Sequence, residues 1–96
     1  MTDAIDFSKV KGRLAVLQLA CKFPTQKEFA QTAGASVTTM SNWLTTGRIP
    51  RDAAARMCMR ISGLSLDWIY LGRVDGLSVA MLSKIRIAEK RITATQ

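Results

Sequence analysis

Apolar residues recur along this chain at steps of three and four, which is the spacing of one face of an α-helix. The first such series predicts a helix over about residues 7–22 and consists of Phe7, Val10, Leu14, Leu17 and Cys21. Pro24 stops this helix, because a proline disfavours the helical conformation in the residue before it. The two prolines and five of the six glycines, all but Gly12, fall between stretches of helical period. One all-helical domain is therefore predicted.

The start of a second helix is marked by a T-x-x-E capping box at Thr25 and Glu28. In this arrangement the Thr25 hydroxyl accepts a hydrogen bond from the Glu28 backbone NH, and the Glu28 carboxylate reaches back to the NH of Thr25. Pro24 and Phe29 are placed to pack over the cap as a hydrophobic staple. The helix is expected to end at about residue 33, because Gly34 adopts the left-handed conformation easily.

Three further helix starts can be assigned from capping residues. Ser36 is a suitable N-cap for a third helix that ends at about residue 46, before Gly47. Pro50 fits the first turn of a fourth helix, and Gly63 follows the end of that helix. Ser65 caps a short fifth helix, whose abundant apolar residues predict a lid on the core.

The last stretch, residues 77–92, has apolar residues at a spacing typical of helices that pack on other helices. These residues are Leu77, Met81, Ile85, Ala88 and Ile92. The helix can pack within the chain or on a partner. The predicted division is a domain over residues 1–76, followed by a C-terminal helix and tail over residues 77–96.

The second and third helices, with the short turn between them, have the spacing of a helix-turn-helix unit. Ala30 is small where the two helices cross, and Gly34 lies at the turn. The positions expected to face inward are apolar, namely Phe29, Ala33, Met40 and Trp43. Trp43 and Trp68 are interpreted as core residues.

The segment TQKEFAQTAGASVTTMSNWLTTGRIPR resembles the second helix, turn, recognition helix and following loop of the lambda-type phage repressors. Downstream, SLDWIYLG is similar to the Ser-Leu-Asp-Trp segment of phage-type members, so the resemblance covers roughly residues 10–72. It implies an all-α fold, a five-helix lambda-repressor-like helix-turn-helix domain, here with an additional C-terminal helix. It also implies double-stranded DNA as the partner.

By this resemblance, Val37, Thr38 and Asn42 occupy the places where bases are contacted, and Ser36 and Thr39 contact bases or phosphates. Val37 departs from the relatives that carry glutamine there to read adenine. A valine offers apolar contact instead, as to a thymine methyl group.

The phosphate contacts implied by the resemblance and by charge are Gln26, Lys27, Arg48 and Arg51. Three more basic residues lie on the first helix, namely Lys9, Lys11 and Arg13. They are interpreted as a solvated face, with an extension of the phosphate-binding patch as the alternative.

Composition agrees with a nucleic-acid partner: 14 Lys and Arg residues against 7 Asp and Glu give the 96-residue chain a formal net charge of +7. The absence of histidine removes the commonest general base and zinc ligand. Cys21 and Cys58 are widely separated and are interpreted as small core residues. We therefore expect no enzyme activity, cofactor, metal or small-molecule substrate. The polar start and the lack of a long apolar run predict a cytoplasmic protein with no membrane segment. The resemblance implies a bacterial cell and association with the nucleoid when the protein is bound to DNA.

The leading hypothesis is a dimeric, sequence-specific regulator that binds a palindromic operator, with repression as its role. The predicted dimer contact is Leu77, Met81, Ile85 and Ile92. The alternative is a protein-interaction module, such as an antitoxin or adaptor, that docks a partner through the same C-terminal helix.

Overall fold

A computed structural model describes residues 5–95, and within that range the chain forms six α-helices and no strand. The helices are α1 (Val10–Ala20), α2 (Gln26–Thr32), α3 (Val37–Thr46), α4 (Arg51–Arg60), α5 (Leu66–Leu71) and α6 (Val79–Thr95). The predicted all-helical fold is confirmed, with the predicted additional C-terminal helix. Residues 1–4 of the predicted first domain and Gln96 of the predicted tail lie outside the described range.

Hydroxyl caps begin three of the helices where the sequence predicts them. Thr25, Ser36 and Ser65 each accept a hydrogen bond from the backbone NH three residues ahead, at 3.2, 3.1 and 3.2 Å. Gly47 ends α3 in the left-handed conformation, with a φ of 76°. Beside the α2 cap, the Phe23 ring packs against Phe29, with 5.5 Å between ring centroids.

Helix α1 is shorter than predicted at both ends. Before it, Asp6 makes a turn in which its carboxylate accepts a hydrogen bond from the Ser8 NH at 2.9 Å. Phe7 is half-buried and packs against the core from this turn, so its helical spacing was misleading. After α1, Lys22 has a φ of 58°, which stops the helix before Pro24 exerts any effect.

The core is centred on α1, which contacts α3, α5 and α6. Trp43 and Trp68 are 8% and 3% exposed, so both belong to the core as predicted. Cys21 and Cys58 are only half-buried and pack at its edge. The largest fully buried side chains are Phe29, Leu14, Leu17, Met40, Met57, Ile69, Ile85 and Val16.

The apolar face of α6 packs within the chain. Met81 and Ile85 are 2% and 1% exposed and lie in the same core as the α1 side chains. These two residues of the predicted dimer contact therefore have almost no surface left for a partner to bury. Leu77 and Ile92 are half-buried against the core and keep part of their surface.

Arg13 is also placed differently from the prediction, since it is 5% exposed rather than solvated. Its Nε donates to the Ile69 carbonyl at 2.9 Å, and its Nη1 donates to the Phe7 carbonyl at 3.0 Å. Burial lowers the pKa of the guanidinium, while the Asp6 carboxylate acts in the opposite direction. Arg13 thus joins the turn before α1 to α5, and these carbonyls are the partners of its guanidinium.

Two arginines of α4 bind the carboxyl end of α2. Arg56 Nε donates to the Ala33 carbonyl at 2.8 Å, and Arg60 Nη1 donates to the Gln31 carbonyl at 2.5 Å. A helix leaves its last carbonyls unpaired and carries partial negative charge there, so both contacts are favourable. A Cβ added to Gly34 would lie 3.2 Å from Arg56 Nε, which shows how closely the side chain follows the turn into α3.

Replacing Ile85 with Ala should lower the free energy of unfolding by about 2 to 5 kcal/mol, because the change leaves a cavity in the core. Ile87 is the matched control on the same helix: it is 55% exposed, and Ile87→Ala should change stability by no more than about 0.5 kcal/mol. Urea denaturation of the two variants measures the difference. Equal stabilities would mean that α6 does not pack on the core.

Replacing Arg56 with Met should destabilise the chain by about 1 to 2 kcal/mol, since the Ala33 carbonyl loses its charged donor. Arg73→Met is the control, because the Arg73–Asp75 ion pair is solvent-exposed and should contribute less than about 1 kcal/mol. Thermal unfolding at low salt compares them. Equal losses of stability in the two variants would disprove the role of Arg56 in holding the end of α2.

Candidate nucleic-acid interface

The orientation of α3 follows from its buried side. Met40 is fully buried and Trp43 nearly so, and they pack with the fully buried Phe29, Ala30 and Ala33 of the preceding helix and turn. The opposite side of α3 is therefore turned to solvent, and its exposed polar residues are Thr38, Ser41, Asn42, Thr45 and Thr46. An apolar rear and a short-chained polar front are the features that allow a helix to enter a major groove.

Two predicted base-contact residues present unengaged polar groups. Thr38 and Asn42 are exposed, and neither side chain hydrogen-bonds to another residue in the range 5–95. By contrast, the hydroxyls of Thr45 and Thr46 donate to the helix's own carbonyls at 2.9 and 2.8 Å. Thr38 and Asn42 are thus available to a ligand, as is the exposed hydroxyl of Ser41. Val37, the third predicted contact, is 44% exposed beside them.

Ser36 and Thr39 form one hydrogen-bonded unit at the start of α3. Ser36 Oγ accepts from the Thr39 backbone NH and donates to Thr39 Oγ1 at 3.0 Å. The Thr39 hydroxyl proton stays available for an outside acceptor, such as a phosphate oxygen or a base edge. The cap thereby ties the position of this donor to the helix start.

At this same end of α3, Gln26 links the two helices of the motif. Its Nε2 donates to the Val37 carbonyl at 3.5 Å, a long hydrogen bond that joins the first turn of α2 to the first turn of α3. Lys27 follows it and is exposed. The structure therefore brings these two predicted phosphate contacts to the amino-terminal end of α3.

The other two predicted phosphate contacts lie past the carboxyl end of α3. Arg48 and Arg51 are exposed on either side of Ile49, which is 5% exposed. The loop is held because the Tyr70 hydroxyl donates to the Ile49 carbonyl at 2.7 Å, and desolvation raises the pKa of that hydroxyl. The Arg48 backbone NH also donates to Thr46 Oγ1 at 3.2 Å.

Sequence reasoning missed the residues that support this geometry, namely Arg56, Arg60 and Tyr70. The only signal was a cluster of basic residues near the end of a predicted helix, which does not say whose carbonyls they bind. The buried Arg13 was missed for the same reason. Each of these contacts joins residues that are 21 to 56 positions apart in the chain.

Residues 5–95 also contain two thiols and six separate acidic side chains. Burial raises the pKa of both thiols, Cys21 and Cys58, so neither is an activated thiolate. Residues 5–95 contain no group of three or more His, Cys, Asp or Glu side chains able to hold a metal ion. Across those residues, no helix has both the length and the apolar character needed to span a bilayer.

Comparison with known proteins identifies the family of the helix-turn-helix. The bacteriophage CI repressor helix-turn-helix domain matches residues 12–75, from the first turns of α1 to the turn after α5. Neither the curated proteins nor the solved structures gave a match. The matched segment contains α2, α3 and the loop with Arg48 and Arg51, and the family binds DNA. The chain belongs to the bacteriophage CI repressor helix-turn-helix family and is a DNA-binding regulator of phage-repressor type.

Proposed function

We propose that this protein is a sequence-specific repressor of phage, prophage or autoregulatory type that inserts α3 into the major groove of its operator. The observation that carries the proposal is the two-sided character of α3, with Met40 and Trp43 buried and Thr38 and Asn42 exposed and unengaged. It acts in the bacterial cytoplasm on nucleoid DNA, by binding rather than by catalysis and without a metal or cofactor.

Base reading falls to three residues on the exposed side. Asn42 has both an amide donor and a carbonyl acceptor, the pair that matches the N6 and N7 edge of adenine. Thr38 supplies a hydroxyl for either kind of base edge, and Val37 supplies apolar contact to a thymine methyl group. This combination favours A·T pairs at the centre of each half-site.

Phosphate binding comes from the two ends of α3. Gln26 and Lys27 lie at its amino-terminal end, and Arg48 and Arg51 follow its carboxyl end. Ser36 and Thr39 add hydroxyls beside the first pair. Phosphate contacts at both ends hold the helix in the groove without reading sequence, and the base contacts supply the specificity.

The active species is a two-fold dimer on a palindromic operator, because one helix-turn-helix buries too little surface for tight specific binding. Within the predicted dimer contact, Leu77 and Ile92 keep exposed area, whereas Met81 and Ile85 do not. Removing α6 would therefore damage the core, and the dimer has to be tested on the full chain. The alternative of a partner-docking module gains no support, since α1 occupies the apolar face of α6.

Asn42→Ala should weaken binding to the selected operator by about 1 to 3 kcal/mol per half-site and change binding to random duplex little, because a base contact is lost. Arg51→Ala should weaken binding to both duplexes and reduce the salt slope by about 1 per chain, because a phosphate contact is lost. The measurement is a salt titration with an operator selected from random duplexes and its scrambled version.

Ser41→Ala is a matched control on the same exposed face, at a position not assigned to base reading. It should leave sequence preference unchanged. The proposed orientation of α3 in the groove would have to be abandoned if Asn42→Ala weakened both duplexes equally while Arg51→Ala changed the sequence preference.

A duplex with two half-sites one helical turn apart should bind the full chain at least about 100-fold more tightly than a duplex with one half-site, because the second contact is made within an assembled dimer. Titration with fluorescent duplexes measures the affinities, and sedimentation should show two chains per duplex. Adding five base pairs between the half-sites places them on opposite sides of the DNA. The affinity should then fall to that of one half-site, and an unchanged affinity would exclude the rigid two-fold dimer.

A further inference from the structure

A polar cleft of about 440 Å³ lies beside the carboxyl end of α3 and adjoins the interface described above at Thr46 and Tyr70. One wall is the start of α1, with Lys9 and Lys11, and the other includes Thr46 and Gly47 at the end of α3. Both lysines are exposed. A basic cleft that opens next to the loop with Arg48 has the chemistry of a site for phosphate groups.

The start of α1 is in direct contact with the end of α3. A Cβ added to Gly47 would lie 3.3 Å from the backbone nitrogen of Lys11 and 3.6 Å from the Lys11 Cβ. Gly47 has a φ of 76° at this place, so both its conformation and its lack of a side chain permit the approach. The backbone of Lys11 is therefore held against Gly47, the residue that precedes Arg48.

The charges of Lys9 and Lys11 are not neutralised by ion pairs within residues 5–95. The ion pairs of that range are Arg56–Asp52, Arg73–Asp75 and Arg86–Glu89. Asp6 is the acidic group near Lys9, and its carboxylate is bound by the backbone NH and hydroxyl of Ser8. Arg13 also lines the cleft, but its hydrogen bonds are made to carbonyls of the chain. A net positive charge remains.

We propose that Lys9 and Lys11 bind the DNA backbone, on the strand that passes the carboxyl end of α3. The proposal rests on the function proposed above, in which α3 lies in the major groove. That groove is about 12 Å wide and is bounded by two phosphate strands. A ten-residue helix such as α3 is about 15 Å long, so its two ends reach opposite walls.

The first wall is met by Gln26 and Lys27, next to the start of α3. Arg48 contacts the phosphate strand on the second wall, and Lys9 and Lys11 contact further phosphates of that same strand. The start of α1 thus extends the phosphate contacts beyond the helix-turn-helix. Both lysines lie at the end of α1 that touches α3, as these contacts require.

The test is the double variant Lys9→Ala/Lys11→Ala in the full chain, titrated with salt on the selected operator and on its scrambled version. The salt slope should fall by about 2 per chain, and the affinity of both duplexes should fall by a similar factor, on the order of tenfold per lost contact near 0.1 M salt. The control Lys84→Ala/Lys90→Ala removes the same charge from exposed sites on α6, a helix that makes no contact with DNA in the proposal. It should reduce the slope by clearly less.

The charge-conserving double variant Lys9→Arg/Lys11→Arg should keep the wild-type slope, which separates lost charge from lost fold. In ethylation interference, ethylation of phosphates at one edge of each half-site should weaken binding by the wild type and not by the alanine variant. If both alanine double variants change the slope equally, the cleft has no role of its own and the inference is overturned. If the wild-type chain shows no preference for any duplex, the proposed function itself fails.

Discussion

Burial of Met40 and Trp43 determines which side of α3 faces solvent, and the candidate interface depends on that constraint. In a helix of 3.6 residues per turn, fixing the inward side also fixes the outward side. Thr38 and Asn42 lie four positions apart and so share the outward side. A rotation of α3 by one residue would expose tryptophan surface and bury unsatisfied hydroxyls, both of which are costly. The recognition surface is thus a consequence of core packing.

The basic residues of the chain serve two different purposes. Arg13, Arg56 and Arg60 donate to backbone carbonyls and join segments that are distant in sequence. Arg48 and Arg51 are exposed and make no ion pair within residues 5–95. A net charge of +7 therefore overstates the charge available to DNA, since part of it holds the helices together.

Helix α6 completes the core of a domain whose family match ends at residue 75. Its side chains Met81 and Ile85 are buried with those of α1, and Ser78 donates its backbone NH to the Gly63 carbonyl at 3.1 Å. A small domain buries a limited share of its surface, so an added amphipathic helix increases its stability appreciably. The same contact leaves Met81 and Ile85 almost no surface for a partner to bury.

The sequence was sufficient for the helices, their order and the exposed side of α3, because each depends on residues a few positions apart. Hydroxyl caps at Thr25, Ser36 and Ser65 bond three residues ahead, and the helical period shows which side is apolar. The sequence did not predict the partners of Arg13, Arg56 and Ile85. A buried arginine and a solvated one look alike in sequence, and an apolar helix face does not name the surface that covers it. Those outcomes depend on contacts between distant segments, which form when the helices pack.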